Sequence, residues 1–253
     1  MSFTGERLPG ESDDFAVDRE RHLAAYRFAR THAAGRRVLD AGCGEGYGAA
    51  LLAEVAAGVV AVDRPEAVQV AAARHRMPGL AFRAFDLARL EALGERFDLA
   101  VSFQVIEHLP DPAGFLAALV ACSDAQVVTT PNRLMSVSEN PYHLREWTAP
   151  ELLALAAPIV PDARLLGVHG SAGVLAWERA RGEQVRRLLA WDPLGLRRLL
   201  PATVVQRAFP RLARLVRRRL TGAASAIGPD DFTIGADRLD TALDLVLVGG
   251  RLP

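Results

Sequence analysis

The sequence predicts an α/β fold, a mostly parallel sheet of seven strands with helices on both faces. Three observations predict it. Short apolar runs alternate with segments of helical periodicity through the first half of the chain; the first run, RRVLDA, ends in the glycine-rich turn GCGEGYG; and the second, GVVAVD, ends on an acid. A chain of 253 residues of which 50% are apolar can bury one full core, so a single domain with additions is the simplest organisation.

Residues 18–34 place Leu23, Tyr26 and the Phe28–Ala29 pair at near-helical spacing and predict a helix ahead of the sheet. Strands are expected over 37–41, 59–63, 80–83, 97–103, 126–130, 164–169 and 243–248, with helices around 49–55, 67–75 and 113–122. The last two strands stand about seventy residues apart, too far for a simple connection in a compact domain, so a helical insertion is expected before the final strand. In it Val205, Phe209, Leu212, Val216 and Leu220 share one helical face, and Pro201 and Pro210 punctuate the helices. The expected organisation is an N-terminal segment and lid helix over 1–35, a ligand-binding core over 36–170, an arginine-rich helical cap over 171–235 and the final core strand over 236–253.

Composition narrows the function classes. The longest apolar segments, such as LDLVLVGG, fall far short of the ~20 residues that cross a bilayer. The opening MSFTGERLPGESDD lacks the apolar stretch of a signal peptide, so a soluble cytoplasmic protein is expected. Cys43 and Cys122 are the only cysteines, and reduced thiols are the default for them. A formal net charge of zero gives no whole-molecule case for nucleic acid. Locally, residues 181–219 hold eleven arginines against Glu183 and Asp192. Such a run can lie on an anionic membrane surface, take a lipid-linked or polyanionic substrate, or form the solvated face of a cap.

A glycine-rich turn after the first strand lets a ligand approach the backbone and the start of the next helix. Here the pattern is G-x-G-x-G with Asp40 two residues ahead, whereas a dinucleotide site needs G-x-G-x-x-G, and position 47 is tyrosine. A carboxylate at Asp40 repels pyrophosphate and suits a cationic amino group. Asp63, ending the second strand, is placed to accept from both hydroxyls of a ribose. The ligand implied has an amino acid at one end and a nucleoside at the other.

With those residues in place, VLDAGCGEGYG, VVAVD, FDLARL and FDLAVSFQVIEHLPDP resemble, in order and spacing, the class I S-adenosylmethionine-dependent methyltransferases of the bacterial small-molecule and sugar O-methylating type. The likeness spans about residues 16–170 plus the last strand. It implies a Rossmann-like fold and S-adenosyl-L-methionine as cofactor. By this resemblance Asp40, Gly42, Cys43 and Gly44 face the methionine part, Asp63 and Arg64 the ribose, Asp86 and Leu87 the adenine edge, and Gln104 the methionyl segment. FTGERLPGE resembles the opening of bacterial methyltransferases whose first segment and helix close over the cofactor, which makes Glu6, Arg7, His22 and Tyr26 lid candidates.

Methyl transfer to a hydroxyl needs in-line positioning and a proton acceptor. His108, after Glu107 in QVIEHLPDP, and His143, in NPYHLREWTAP, both follow strands at the edge where open α/β sheets bind ligands, and His143 is the favoured general base. The expected acceptor is a small molecule or sugar, with no resident metal. A rival reading starts from the same residues: Glu107, His108 and His143 match the metal site of the small-RNA 2′-O-methyltransferases, but Gln104 stands where a ligating glutamate belongs and binds a hard divalent ion more weakly. A non-catalytic nucleotide-binding module is the other alternative. The oligomeric state is open.

Overall fold

A computed structural model of the chain describes residues 15–136, 140–189, 216 and 226–252. Helix α1 (Ala16–Thr31) precedes the alternating run β1 (Arg37–Ala41), α2 (Tyr47–Ala53), β2 (Gly58–Asp63), α3 (Pro65–Arg74) and β3 (Leu80–Ala84). A 3-10 helix over Leu87–Leu93 then leads to β4 (Phe97–Phe103), α4 (Pro112–Cys122), β5 (Ser123–Pro131), α5 (Ala149–Ala156), β6 (Arg164–Gly170), α6 (Ala172–Leu189), β7 (Phe232–Gly235) and β8 (Asp244–Gly250).

The strands lie in the order β3-β2-β1-β4-β5-β8-β6-β7. From β3 to β5 every pairing is parallel, and β8 is inserted antiparallel between β5 and β6. The order reverses direction between β1 and β4, so a crevice opens there at the carboxyl ends of the strands, the place where such sheets bind ligands. Because β8 runs the other way, its first residue, Asp244, also stands at that edge.

Local chemistry sets the element boundaries. β1, β2, β4 and β5 are buried along nearly their whole length, which is why β1, β2 and β4 read as mostly apolar runs and not as alternation. Pro65 and Pro112 sit in the first turns of α3 and α4, where no intrahelical donor is lost. Asp111 caps α4 by accepting from Gly114 N at 2.9 Å. Thr148 and Glu151 form a reciprocal cap on α5, with Thr148 N donating to Glu151 Oε2 at 2.8 Å.

Two apolar layers sandwich the sheet. Val38, Leu99, Val127, Val246 and Val248 face α1, α2 and α6, meeting Tyr26, Leu52, Val174 and Trp177. Leu39, Val128, Leu245 and Leu247 face α4 and α5, meeting Leu116, Leu119 and Leu152. With a repeat of two along a strand, Asp40 and Asp244 fall on the α1 side.

The sheet has eight strands, one more than the sequence predicts, because Phe232–Gly235 pairs antiparallel with β6. This four-residue strand lies inside the stretch 171–235 expected as a helical cap; its run FTIG is too short to carry a period of its own after the turn residues GPDD. The first part of that stretch is α6, which packs on the α1 side of the sheet through Val174 and Trp177, and Val216 is buried. The rest of the arginine-rich run, the face formed by Val205, Phe209, Leu212 and Leu220, and the lid candidates Glu6 and Arg7 lie outside the described residues. No described helix is long and apolar enough to cross a membrane.

Candidate active site

The glycine turn is stitched to the neighbouring strand. Gly42 N and Cys43 N both donate to Val62 O, at 2.8 and 3.1 Å, and Gly44 N donates to Asp63 Oδ2 at 2.8 Å. Asp63 Oδ1 accepts from Arg64 N at 2.7 Å, so Arg64 contributes its amide while its exposed side chain caps nothing. Gly42 and Gly44 both have positive φ, 95° and 56°. Their surroundings differ. An added Cβ at Gly42 would run into the Val105 side chain, but at Gly44 it would meet nothing within 4 Å. Gly44 therefore lines open space with bare backbone, which is what close approach of a ligand requires. Cys43 is buried beneath the turn.

Asp40 is completely buried, and its donor comes from α1: Tyr26 OH reaches Oδ2 at 3.1 Å and Oδ1 at 3.3 Å. Burial pushes the Asp40 carboxyl up to about 7, against the Tyr26 hydrogen bond, with the nearby Asp63 charge adding to the rise. Tyr26 can lie there because α2 offers Gly48; a Cβ at that position would fall on the tyrosine ring. His22, Tyr47 and Phe103 pack edge-on around it, with the Tyr26 and Phe103 centroids 4.6 Å apart. His22 Nδ1 shares a hydrogen bond with the Tyr47 hydroxyl, and burial lowers its pKa to about 4, so it is neutral and not a base near pH 7.

Asp86 does two things that the sequence could not separate. It stands just past β3 at the ligand edge, and its Oδ1 caps the 3-10 helix through Ala88 N at 3.0 Å. Leu87 packs partly buried against the α4 layer. An open glycine cradle, a buried acid suited to an amino group, and acids at the ends of β2 and β3 fit S-adenosylmethionine along its length.

Past β4, Gln104 has φ 58°, a left-handed backbone that is uncommon outside glycine and gathers at functional sites. Its amide N donates to Thr129 O at 3.0 Å. Glu107 is completely buried; Thr130 Oγ1 donates to Oε2 at 3.1 Å, and Oε1 has no partner among the described residues. Burial pushes its carboxyl up to about 8. The loop 140–147 folds back on this turn, with Leu144 N donating to Glu107 O at 2.8 Å.

That fold-back brings the two histidines together, ring centroids 4.9 Å apart. His108 Nδ1 contacts Tyr142 O at 2.8 Å; a carbonyl only accepts, so Nδ1 carries the proton and the lone pair is on Nε2. His143 Nδ1 lies 2.5 Å from Glu146 Oε1, and its Nε2 is 2.8 Å from Asn140 Nδ2. Asn140 Oδ1 accepts from Tyr142 N at 3.1 Å, which fixes the amide orientation, so Nε2 of His143 accepts and Nδ1 donates to the glutamate. One ligating atom from each of Glu107, His108 and His143 lies within 4.8 Å of the others.

Of the site residues expected from the sequence, those on the strand ends and the turns after them fall on one edge of the sheet, the glycine turn and Asp63 on one side of Gln104 and the histidines on the other, while His22 and Tyr26 reach the site from α1. Phe103 and Thr130, and the packing role of Tyr47, were not legible in the sequence, because they reach the site through contacts between distant segments. Glu146, three residues after His143, was visible only as a polar flank.

The methyltransferase domain family matches residues 17–156, more than half of the chain. A Mycolicibacterium smegmatis protein named "Probable S-adenosylmethionine-dependent methyltransferase" is 35% identical, over 99% of this chain and 95% of that one. This chain belongs to the class I S-adenosylmethionine-dependent methyltransferases. A Mycobacterium tuberculosis member of the same description is 40% identical over 61% of this chain and 59% of its own length. The methyltransferase uses S-adenosyl-L-methionine, and the cradle at Gly44 with Asp40 and Asp63 is where its residues fit that cofactor. Among solved structures the cyclase SpnF matches with TM-score 0.53 and 18% identity, covering 93% of this chain and 82% of its own. The methyltransferase domain of bacterial CtHen1-C matches with TM-score 0.50 and 23% identity, over 60% of this chain and 89% of that one. Both likenesses are of fold alone.

Proposed function

We propose that this methyltransferase methylates a hydroxyl group of a small-molecule or sugar-containing acceptor, with His143 as the general base. The observation that carries the reading is the Glu146–His143 pair: the carboxylate 2.5 Å from Nδ1 fixes the tautomer, keeps the lone pair on Nε2 and stabilises the imidazolium that proton uptake creates. Relatives support oxygen as the target. A ubiquinone biosynthesis O-methyltransferase of Cereibacter sphaeroides is 35% identical over 39% of this chain and 42% of its own length.

Bound at the glycine cradle, S-adenosylmethionine supplies an electrophilic methyl group on a sulfonium. Asp40 would take the amino group, Asp63 the ribose hydroxyls, and α1 with Tyr26 would keep water from the methionine end. On the acceptor's side His143 Nε2, released by Asn140 Nδ2, would take the proton of the acceptor hydroxyl as that oxygen receives the methyl group. Holding the oxygen in line supplies most of the remaining rate. His143→Ala is expected to leave cofactor affinity unchanged and to lower the rate of methyl transfer by about 10²–10⁴. Equal rates in the variant and the parent would remove His143 from the chemistry.

A second reading is favoured by the gathering of Glu107, His108 and His143 within 4.8 Å, with a partner-less Glu107 Oε1 among them. These are donors for a hard divalent cation, with Gln104 as a weaker fourth. Under it, methyl transfer stops in chelator and returns with magnesium or manganese, and replacing any of the three side chains is equally damaging. Full activity in excess chelator eliminates it.

A further inference from the structure

Past β4 the side chain of Gln104 is held by a buried carboxylate from the far end of the chain. Asp244, 2% exposed, opens β8 opposite Pro131 of β5 and Val168 of β6. Its Oδ2 takes Arg21 Nε from α1 at 3.0 Å, and Arg21 Nη1 reaches Glu178 Oε1 on α6 at 3.4 Å. Burial raises the Asp244 carboxyl, while the Arg21 charge and a hydrogen bond from the Gln104 side chain oppose the rise. Gln104 Nε2 also lies 3.5 Å from Thr129 Oγ1 of β5.

A carboxylate beside a guanidinium accepts and does not donate, so the amide nitrogen is the end that Gln104 turns to Asp244, and Thr129 stands on the same side. Oε1 is thereby turned away from β5 and β8. No described group donates to it, and Gln104 is partly exposed. The opposite side is the cofactor crevice, since the other neighbour of β4 is β1. Val105, next in the chain, lies against the glycine turn so closely that a Cβ on Gly42 would come within 2.4 Å of it. The backbone at Gln104, φ 58°, is of a kind that persists only where its surroundings over-determine it. That backbone fixes where the amide stands, and Asp244 fixes which end of it faces the ligand. Of the donors on S-adenosylmethionine, the ribose hydroxyls go to Asp63 on β2, beyond β1. The ammonium goes to Asp40 on β1 itself, which pairs with Val101 of β4.

We propose that Asp244 is a positioning residue which, tied to α1 by Arg21, turns Oε1 of Gln104 toward the methionine end of S-adenosylmethionine, where it accepts from the ammonium. An amide turned the other way would present its NH2 to that cation. The inference rests on the cofactor's place at the glycine cradle and holds whichever acceptor is methylated.

The test is calorimetric titration of the full chain with S-adenosylhomocysteine, which carries the same ammonium. In Asp244→Asn, Oδ1 stays with Arg21 and Nδ2, a donor, faces Gln104, whose Oε1 turns inward and leaves the NH2 toward the ligand. Affinity is expected to fall about tenfold. The double variant of Asp244→Asn with Gln104→Glu exchanges the two roles. Its new carboxylate accepts from the new amide and still offers an oxygen to the ammonium, so affinity should return to within about threefold of the parent. Gln104→Leu, which leaves Asp244 paired with Arg21, should also bind about tenfold more weakly, and it decides the matter should Asp244→Asn not fold. Parent affinity in either single variant overturns the inference. So does a loss in Asp244→Asn that the double variant fails to restore, the mark of a carboxylate that only pins α1 to β8. A parent chain that does not bind S-adenosylhomocysteine would overturn the cofactor's place, and this inference with it.

Discussion

Asp40 keeps its proton to about pH 7, whereas an exposed aspartic acid loses it near 4. Between those values the folded chain binds more protons than the unfolded one, so this group's contribution to stability falls as pH rises from about 4 to about 7 and is level above. A cationic amino group favours the carboxylate. S-adenosylhomocysteine should therefore bind more tightly as pH rises toward 7, by up to about tenfold per unit, and level off beyond. Calorimetric titrations across this range check it, and Asp40→Asn should flatten the dependence while keeping the fold; an unchanged slope in that variant would assign the titration elsewhere. Asp63→Ala should weaken the same binding by about 1.5–3 kcal/mol, the scale of charge-assisted hydrogen bonds to both ribose hydroxyls. Undiminished affinity would show that Asp63 serves only to tie Gly44 and Arg64. Both acids were legible in the sequence because each ends an apolar run next to a turn. The pairings that tune Asp40 and Glu107 were not: Tyr26 is fourteen positions from Asp40 and Thr130 twenty-three from Glu107.

At the scale of elements, the site depends on how closely α1 lies on α2 and the sheet. Tyr26 passes over Gly48 to reach Asp40, and Arg21 ties the same helix to β8 and α6. Gly48→Ala should push the helix outward and cost about 1–3 kcal/mol by overpacking, seen as a lower melting temperature together with weaker S-adenosylhomocysteine binding. A variant as stable as the parent would mean that α1 tolerates displacement. Tyr26→Phe removes a hydrogen bond that lowers the Asp40 pKa, so the pH at which cofactor binding levels off should rise. An unmoved plateau would contradict that link. Periodicity located α1 and β1 to β6 to within a few residues, because apolar runs buried on both faces and capped helices leave strong local marks. β7 was missed because four residues on a sheet edge leave almost none, and the long connection around it gave only its length.

Across the whole molecule, the reversal of strand order between β1 and β4 does most to make a site. It sends the glycine turn, the ends of β2 and β3, Gln104, the Glu107–His108 turn and the start of β8 to one edge, though they are scattered from Asp40 to Asp244 along the chain. The alternation of strands and helices made that edge predictable, and with it the place of the glycine turn, Asp40, Asp63 and Gln104, since these lie at or just past the ends of β1, β2 and β4. The acceptor end was legible only in part. His143 and Glu146 sit in a loop whose fold-back is fixed by backbone bonds to Glu107. SpnF, a cyclase, shares the fold, so the fold alone does not assign the reaction, and the bond made must be read directly. Incubating the protein with methyl-labelled S-adenosylmethionine and the cell extract, then locating the label by mass spectrometry, does so. The expected product is a methyl ether on a hydroxyl of a small or sugar-containing molecule, formed at a rate that collapses in His143→Ala; label carried on nitrogen, carbon or sulfur, or formed equally fast by that variant, would contradict hydroxyl methylation with His143 as base.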